Sequence, residues 1–422
     1  MRNIFDQYDE PENRLTHALA CCLQEDRRLL RSFVNWLANP RPPSRHTLVV
    51  TEQSLPGDEE VTETELDQQR GLPDMWIHDH ERWSLIIENK IGSAVEAGQI
   101  RRHRATALRR GFEDHSVVVI SPDVPPRRSL AGASHVKWPD VYAWLLRNHA
   151  KSEWSRRLTS YMESAESRMI ASGYLDRGSL TTFPGIRFGP DAPWNYREAK
   201  RLLRLAMEEL RKNKKLQRFG MDPTGEGRPA ITGREGSAVW DFLPIRQAKG
   251  TKNFTAYPHL TMGIQSKRVL VMVTVPNGIK APLRRSLLSL GETGFEELAL
   301  RIGSNLDRLL RKAKGAKPWM DVCQRHYLSQ RSAPIEDARL EFDLRTVFPR
   351  KKKQRSVKPQ PQWLRATYAA LEAKRSNLQV GIGAIFPHSC SILHSKEALN
   401  YFAGTWLTCE PLLNVLLKGK SL

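Results

Sequence analysis

The sequence is poor in cysteine and has no long apolar run. Five cysteines among 422 residues are too few, and odd in number, for a disulfide framework, so we expect a reducing, cytoplasmic setting. No segment approaches the roughly 18 consecutive apolar residues of a membrane helix, and residues 1–6 lack the apolar core of a secretory signal. The sequence therefore predicts a cytoplasmic protein without membrane contact.

Several common catalytic signatures are also missing. The chain has no Gly-x4-Gly-Lys-Ser/Thr loop to support an ATP-driven motor, and no Gly-x-Ser-x-Gly turn to present a serine nucleophile. Cys323, His326, His388, Cys390 and His394 have the residue types of a zinc site but lack its paired, closely spaced cysteines. These absences direct attention to the carboxylates.

Acidic residues are scarce in the second part of the chain. Residues 1–170 carry 23 Lys and Arg against 25 Asp and Glu, a net charge of −2, so of the total of +20 the remaining residues 171–422 carry +22. This asymmetry indicates two modules, the second of which is attracted to a polyanion such as nucleic acid. A solvated basic surface that serves solubility is the alternative.

The hydrophobic pattern predicts an alternation of helices and strands. A helix is expected from residue 11 to about residue 37, strands at 47–52, 74–78 and 83–90, a helix at 94–110 and a strand at 116–120. The second and third strands should form an antiparallel hairpin, and the last should return beside the third by a right-handed crossover. Glycine and proline in residues 172–193 predict a boundary between a domain at 1–172 and an α+β domain at 190–422.

Two carboxylates and a lysine stand at the ends of the predicted hairpin strands. Asp74 follows Pro73, and Glu88-Asn89-Lys90 ends the next strand, where Glu88 and Lys90 share a face. The hairpin should bring Asp74 beside Glu88. Carboxylate oxygens suit Mg²⁺, and a lysine beside them can position a water or stabilise a phosphoryl oxyanion. For Pro73-Asp74 alone the alternative is an ordinary turn dipeptide. For Glu88 and Lys90 alone the alternative is an exposed salt-bridging pair.

These residues resemble the signature of the PD-(D/E)XK nuclease superfamily, which has the restriction-endonuclease-like fold. The similarity covers about residues 9–125. Glu12-Asn13-Arg14-Leu15-Thr16 resembles the opening helix of defence-associated branches, and Thr51-Glu52 resembles the end of their first strand. Gln99 matches their helical glutamine, whereas His103 replaces their tyrosine. The resemblance implies an α/β fold with an αβββαβ core and a mixed sheet, and the basic α+β C-terminal domain predicted from the sequence pattern follows it.

The resemblance also implies roles for individual residues. Asp74, Glu88 and the backbone carbonyl of Asn89 would bind Mg²⁺, with Mn²⁺ as an alternative. Lys90 would lie beside the attacking water, and Glu12 would add a carboxylate. It further implies that Gln99 helps to hold the lysine or the phosphate and that Glu52 and His103 lie behind the site. The charge pattern, and not the resemblance, adds candidates for contact with nucleic acid in the second part of the chain, and Arg102 on the helix of Gln99 is a further one. The candidates of the second part are Lys214, Lys215, Arg350, Lys351, Lys352 and Lys353.

The predicted function is a Mg²⁺-dependent DNA endonuclease, in analogy with restriction or antiviral defence, with RNA as an alternative substrate. A homodimer and a protein activator or sensor target remain open as further partners. The competing hypothesis is a catalytically silent nucleic-acid-binding or sensor protein whose C-terminal domain recognises a protein partner.

Overall fold

The structure, a computed structural model, describes most of the chain. The described residues are 4–43, 47–54, 72–175, 178–225, 227, 238–251, 253–329, 332, 335–348, 360–373 and 377–419. The chain divides into two compact units, Met1–Thr182 and Phe183–Leu422, and the division lies within the glycine- and proline-rich stretch 172–193. The fold is mixed α/β, which confirms the predicted class at that level.

A five-stranded mixed sheet forms the centre of the described part of the first unit. In order across the sheet, its strands are β1 (Val49–Glu52), β2 (Met75–His78), β3 (Trp83–Asn89), β4 (Asp114–Ser121) and β5 (Ser134–Lys137). β1, β2 and β3 pair antiparallel, whereas β4 and β5 continue parallel to β3. The sequence pattern did not predict β5, because this strand has only four residues and none of them is fully buried.

The helices of the first unit cover the sheet. They are α1 (Pro11–Glu25), α2 (Arg27–Leu37), α3 (Ala97–Arg109), α4 (Arg127–Leu130), α5 (Trp138–Asn148) and α6 (Glu153–Ser172). The prediction of one helix to about residue 37 was wrong, because Asp26 leaves the helical region at φ −124° and ψ 94°. Its carboxylate accepts hydrogen bonds from the N–H groups of Arg28 and Leu29, which starts α2 anew.

The two faces of the sheet pack against different helices. Ile87 belongs to a core with α1, whereas Ile86 belongs to a separate core with Ile100 of α3. Because side chains alternate along a strand, Glu88 lies on the α3 face and Asn89 on the α1 face. The Asn89 side chain accordingly donates to the hydroxyl of Thr16 in α1, at 2.9 Å.

The turn between β2 and β3 fixes the register of the hairpin. One carboxylate oxygen of Asp79 accepts hydrogen bonds from the N–H groups of Glu81, Arg82 and Trp83. The resulting register pairs Met75 with Ile87 and so places the residues before Met75 next to those after Ile87. The hairpin therefore delivers both predicted carboxylates to one end of the sheet.

A buried glutamate fastens the segment that follows α6. One oxygen of Glu166 accepts hydrogen bonds from the N–H groups of Ser179, Leu180 and Thr181, and its other oxygen accepts one from the Thr181 hydroxyl. We expect Glu166→Ala to lower the free energy of unfolding by about 2–4 kcal/mol, because buried N–H groups lose a charged acceptor. Urea denaturation measures this loss. Glu153→Ala, at an exposed glutamate of the same helix, should leave the midpoint nearly unchanged, and equal midpoints for both variants would contradict the prediction.

A six-stranded antiparallel sheet dominates the described part of the second unit. In order across the sheet, its strands are β10 (Ile335–Asp343), β9 (Lys317–His326), β11 (Leu378–Pro387), β8 (Arg268–Val275), β7 (His259–Gln265) and β6 (Ala238–Pro244). The helices of this unit are α7 (Tyr196–Arg211), α8 (Lys214–Phe219), α9 (Ala281–Leu288), α10 (Gly291–Leu309), α11 (Gln362–Ala373), α12 (Ala398–Thr408) and α13 (Glu410–Lys418). Both helices and strands are present, as an α+β domain requires.

The edge strand of the second sheet ends in a tight turn. β10 ends at Asp343, and the four residues that follow, Leu344–Val347, form a short 3-10 helix. The Asp343 carboxylate accepts the N–H of Arg345 and so caps that turn. In the described part of the chain, no helix combines the length and the apolar composition needed to span a membrane.

Candidate functional site

The end of the β2–β3 hairpin brings together four of the predicted residues. The Lys90 ammonium nitrogen lies 2.7 Å from Oε1 of Glu88 and 3.6 Å from Oε1 of Glu12. Oδ2 of Asp74 accepts a hydrogen bond of 2.7 Å from the backbone N–H of Asn89. Glu12 of α1 and Glu88 of β3 thus contact the lysine, and Asp74, just before β2, bonds to the backbone next to it. We call these four residues the carboxylate–lysine cluster.

Glu88 forms the buried floor of the cluster. Its side chain has no exposed surface, and Oε2 lies 2.9 Å from Nε2 of the equally buried His103 on α3. Among the described residues, Nδ1 of His103 has no hydrogen-bond partner, so the contact between Nε2 and Glu88 holds the ring in this position. The Lys90 and Glu12 side chains are 12% and 13% exposed, so the cluster reaches solvent at these two residues.

The carboxylates hold Lys90 in its charged form. Burial lowers the pKa of the Lys90 ammonium, but the charges of Glu88, Asp74 and Glu12 outweigh burial and raise the pKa above its ordinary value. Lys90 therefore acts as a cation and hydrogen-bond donor at neutral pH, and it cannot serve there as a general base.

The surroundings of Asp74, in contrast, disfavour its charged form. Burial and, after it, repulsion from Glu88 raise the pKa of Asp74 to about 7, although the Asn89 N–H and the Lys90 charge lower it. A raised carboxyl pKa beside a second carboxylate indicates an excess of negative charge at this end of the sheet. A bound cation would relieve that excess.

Glu12 also fixes the loop that follows β3. Its Oε2 accepts the N–H of Ile91 at 2.6 Å, and both carboxylate oxygens contact the hydroxyl of Ser93. One turn further along α1, the Thr16 hydroxyl donates to the Glu12 carbonyl and accepts from the Asn89 side chain. Glu12 and Thr16 together hold Lys90 and its neighbours against α1, and Thr16 was part of the sequence motif without an assigned role.

Two other predicted residues lie on α3, and among the described residues neither forms a bond with the cluster. Gln99 is half-buried in the first turn of α3, where its N–H donates to the Glu96 carbonyl, and among the described residues its side chain has no hydrogen-bond partner. Arg102 is exposed on the same helix. The implied contact of Gln99 with the lysine is therefore not formed in this structure.

Glu52 faces away from the carboxylate–lysine cluster. It pairs with Met75 in the sheet, on the α1 face, and its Oε2 lies 2.6 Å from Nδ1 of His17. Cys21 lies 3.4 Å from the other ring nitrogen of His17, but burial and then the Glu52 charge raise the pKa of its thiol. The raised pKa argues against a nucleophilic thiolate, and the structure gives Glu52 a partner on α1 in place of a position behind the site.

The remaining predicted residues belong to the basic part of the chain. Lys214 and Lys215 are exposed in the first turn of α8, in the second unit. Arg350, Lys351, Lys352 and Lys353 lie outside the described residues.

Tyr174, which no sequence motif indicates, lies close to the cluster. Its hydroxyl is 3.3 Å from Oε1 of Glu10, and its ring packs so closely on Gly92 that a Cβ there would lie 3.0 Å from the hydroxyl oxygen. Burial, then the charges of Glu10 and Glu12, raises the pKa of Tyr174 to about 12. No local signal could reveal this residue, because Tyr174 is far from Gly92 in sequence and α6 brings it there.

The donor atoms of the site fit a magnesium ion. Among the described residues, no group of three or more His, Cys, Asp and Glu side chains is arranged to hold a metal. The predicted ligand set contains only two side chains, Asp74 and Glu88, together with a backbone carbonyl. All three donors are hard oxygens of the type that Mg²⁺ prefers, and burial and the Glu88 charge, which raise the pKa of Asp74, are effects that a bound cation would oppose.

Comparison with protein families and curated proteins gave no match. Neither a scan against models of protein families nor a search of curated proteins found a match for the chain. The interpretation of the cluster therefore depends on its residues and their geometry.

Proposed function

We propose that this protein is a Mg²⁺-dependent nuclease that hydrolyses phosphodiester bonds in DNA, with a first unit of the restriction-endonuclease-like type. The observation that carries the proposal is the convergence of Asp74, Glu88 and Lys90 at one end of a mixed sheet, with Lys90 2.7 Å from Glu88. The order of α1 and α2, then β1 to β3, then α3 and β4 supports an αβββαβ core in which the opening helix is interrupted at Asp26. The proposed mode of cleavage is endonucleolytic, and the proposed biological role is restriction or antiviral defence.

The residues of the cluster divide the chemistry between them. Asp74, Glu88 and the Asn89 carbonyl would hold Mg²⁺, which when bound neutralises phosphate charge and lowers the pKa of a water ligand. Lys90 is a protonated donor, so it orients the attacking water or stabilises negative charge on the phosphate oxygens. His103 holds the Glu88 carboxylate from the buried side, and Glu12 keeps the Lys90 loop in place.

Incubation of the purified full chain with supercoiled plasmid tests this function. We expect nicked and linear products in Mg²⁺ or Mn²⁺ and none in EDTA. DNA binding without strand breakage under any metal condition would favour the catalytically silent alternative. That alternative is supported by one feature, the complete burial of Glu88 between Lys90 and His103.

Exposed cations of the second unit support a nucleic-acid partner. The backbone N–H of Arg246 donates to the Gly220 carbonyl, and Met221 forms a β-bridge with Ile245, so the α8 region and residues 246–249 are neighbours. The exposed basic side chains that this pairing gathers are Lys214, Lys215, Arg218, Arg246 and Lys249. Such a group attracts the phosphate backbone by release of counterions.

We expect the double variant Lys214→Ala/Lys215→Ala to bind DNA more weakly, with a loss that shrinks at high salt. Two lost phosphate contacts should reduce the slope of log K against log salt by roughly 2. Fluorescence anisotropy at several salt concentrations measures this slope. The control is Lys312→Ala/Lys314→Ala, which removes two exposed lysines elsewhere in the unit. If the wild type and the α8 variant gave the same slope, Lys214 and Lys215 would not contact DNA.

A further inference from the structure

The two helices that contribute to the carboxylate–lysine cluster lie in segments of opposite charge. Residues 4–25, which include α1 and the segment before it, contain one Arg against five Asp and Glu, a net charge of −4. Residues 97–137, from α3 to β5, contain eight Lys and Arg against three Asp and Glu, a net charge of +5. The nearly neutral first unit thus has an acidic α1 side and a basic α3 side. A polyanion is attracted to the α3 side and repelled by the α1 side.

The parallel strands place a second lysine in line with Lys90. Asn89 pairs with Ile120 in the sheet. The N–H of Lys90 donates to the Ile120 carbonyl at 2.8 Å, so Lys90 lies beside Ser121. Ser121 pairs in turn with Lys137, the last residue of β5, and we call Lys90, Ser121 and Lys137 the rim row. Because neighbouring strands lie about 4.8 Å apart, the backbones of Lys90 and Lys137 are about 10 Å apart.

The side chains of the rim row lie on the α3 side of the sheet. Glu88 faces α3 and pairs with Val119, which belongs to the core that α3 covers. Two residues after Val119, Ser121 has the same face, and Lys137 shares this face as the partner of Ser121. Burial, and then the charge of Lys137, lowers the pKa of His135, whose Nε2 lies 2.9 Å from the Ser121 hydroxyl oxygen. The positive charge of Lys137 therefore belongs to the basic α3 side.

Three cations between α3 and the end of β5 form no salt bridge with any residue that the structure describes. They are Arg127 and Arg128, which open α4 and are exposed, and Lys137, which is half-buried. α4 packs against α3, so its two arginines belong to the same side. In the same unit, by contrast, Arg156 and Arg168 are paired with carboxylates. Cations that no acid neutralises attract the phosphate backbone of a nucleic acid.

We propose that the substrate DNA crosses the end of the sheet on the α3 side, with the scissile phosphate at Lys90 and another phosphate on Lys137. The proposal rests on the proposed nuclease function for the identity of the strand at Lys90. One strand of a duplex carries a phosphate about every 3.4 Å along the axis, so the two lysines contact phosphates about three nucleotides apart. Arg127 and Arg128 add contacts to the same backbone, and the acidic α1 side stays outside the interface.

Two matched pairs of arginines test on which side the DNA lies. Arg127 and Arg128 open α4, whereas Arg27 and Arg28 open α2, which packs in the core of the α1 side, and all four are exposed. Fluorescence anisotropy measures the binding of a DNA duplex to the full chain with Lys90→Ala, in EDTA, so that the DNA is not cut. The double variant Arg127→Gln/Arg128→Gln should reduce the slope of log K against log salt by roughly 2. The control Arg27→Gln/Arg28→Gln should leave the slope within about 0.5 of the parent.

Lys137→Gln tests the rim row itself. In the same background it should weaken the binding of the duplex about tenfold at low salt, the cost of one charge-assisted phosphate contact. Lys137→Arg keeps the charge and should bind within about threefold of the parent, a rescue that a purely structural role of the lysine would not produce. In the protein with Lys90 intact, Lys137→Gln should raise the protein concentration for half-maximal nicking of plasmid about tenfold. Thermal unfolding of each variant verifies that it is folded.

The outcomes separate this inference from the nuclease function. If the wild type cleaves DNA but the α2 double variant loses as much slope as the α4 double variant, the placement of DNA on the α3 side is wrong and the nuclease stands. The same conclusion follows if the wild type cleaves DNA and Lys137→Gln binds as the parent does. If the wild type never cleaves DNA but the α4 double variant and Lys137→Gln lose binding as expected, the nuclease is wrong and the α3 side remains a nucleic-acid surface.

Discussion

Lys90→Ala should reduce the rate of Mg²⁺-dependent DNA cleavage by about 10²–10³-fold, the usual cost of removing a donor that stabilises transition-state charge. Lys90 is the ammonium that lies between Glu88 and Glu12, and its carboxylate neighbours keep it protonated. The change removes this donor from the position where charge develops on the phosphate. Single-turnover nicking of supercoiled plasmid, at saturating protein, measures the rate of the chemical step.

The matched control for this variant is Lys151→Ala, at an exposed lysine before α6. It removes the same charge from the first unit and should cleave at the wild-type rate. DNA binding by Lys90→Ala in EDTA should persist, because the basic second unit supplies the affinity in this account. Cleavage by Lys90→Ala at the wild-type rate would show that the cluster is not the active site.

Asp74→Asn should abolish cleavage and yet stabilise the metal-free protein at neutral and alkaline pH. The pKa of Asp74 is raised to about 7 in the folded chain, above the value near 3.8 of an unperturbed aspartate. Between these two values the folded state binds more protons than the unfolded state, so the free energy of unfolding falls as pH rises from about 4 to 7. Asparagine keeps an acceptor for the Asn89 N–H and removes the repulsion with Glu88.

We therefore expect Asp74→Asn to raise the free energy of unfolding by about 1–3 kcal/mol in EDTA at pH 8, and to have little effect at pH 4. Urea denaturation of the wild type and the variant measures the difference in free energy of unfolding at each pH. Added Mg²⁺ should stabilise the wild type and narrow the difference, because the ion binds the folded state. If the variant were less stable than the wild type at pH 8 in EDTA, repulsion between Asp74 and Glu88 would not destabilise the folded protein.

The part of the site on the hairpin was predictable from the sequence because its signals are local. Strand alternation puts Glu88 and Lys90 on one face, and a short turn at Asp79 returns the chain so that Asp74 meets Glu88. The break at Asp26 was missed because the hydrophobic repeat continues through it, although an aspartate before a helical run is a common cap.

Other features depend on register or on distant segments. Glu52 lies on the α1 face because it pairs with Met75, and a slip of one residue would have turned it to the opposite face. The sequence pattern gives the strand but not this register. Tyr174 reaches Glu10 because α6 returns the chain to the start of α1, so only the folded chain reveals it.

Metal binding by the cluster is the most direct test of this account. Calorimetric titration of the full chain with Mn²⁺, at low salt and neutral pH, should show saturable binding to the wild type. Asp74→Asn and Glu88→Gln should each lose at least about tenfold in affinity, since even residues that only support a metal ligand contribute that much. Asp140→Asn, an exposed control on α5, should bind as the wild type does. Equal Mn²⁺ affinity in all four proteins would contradict the claim that Asp74 and Glu88 share a cation.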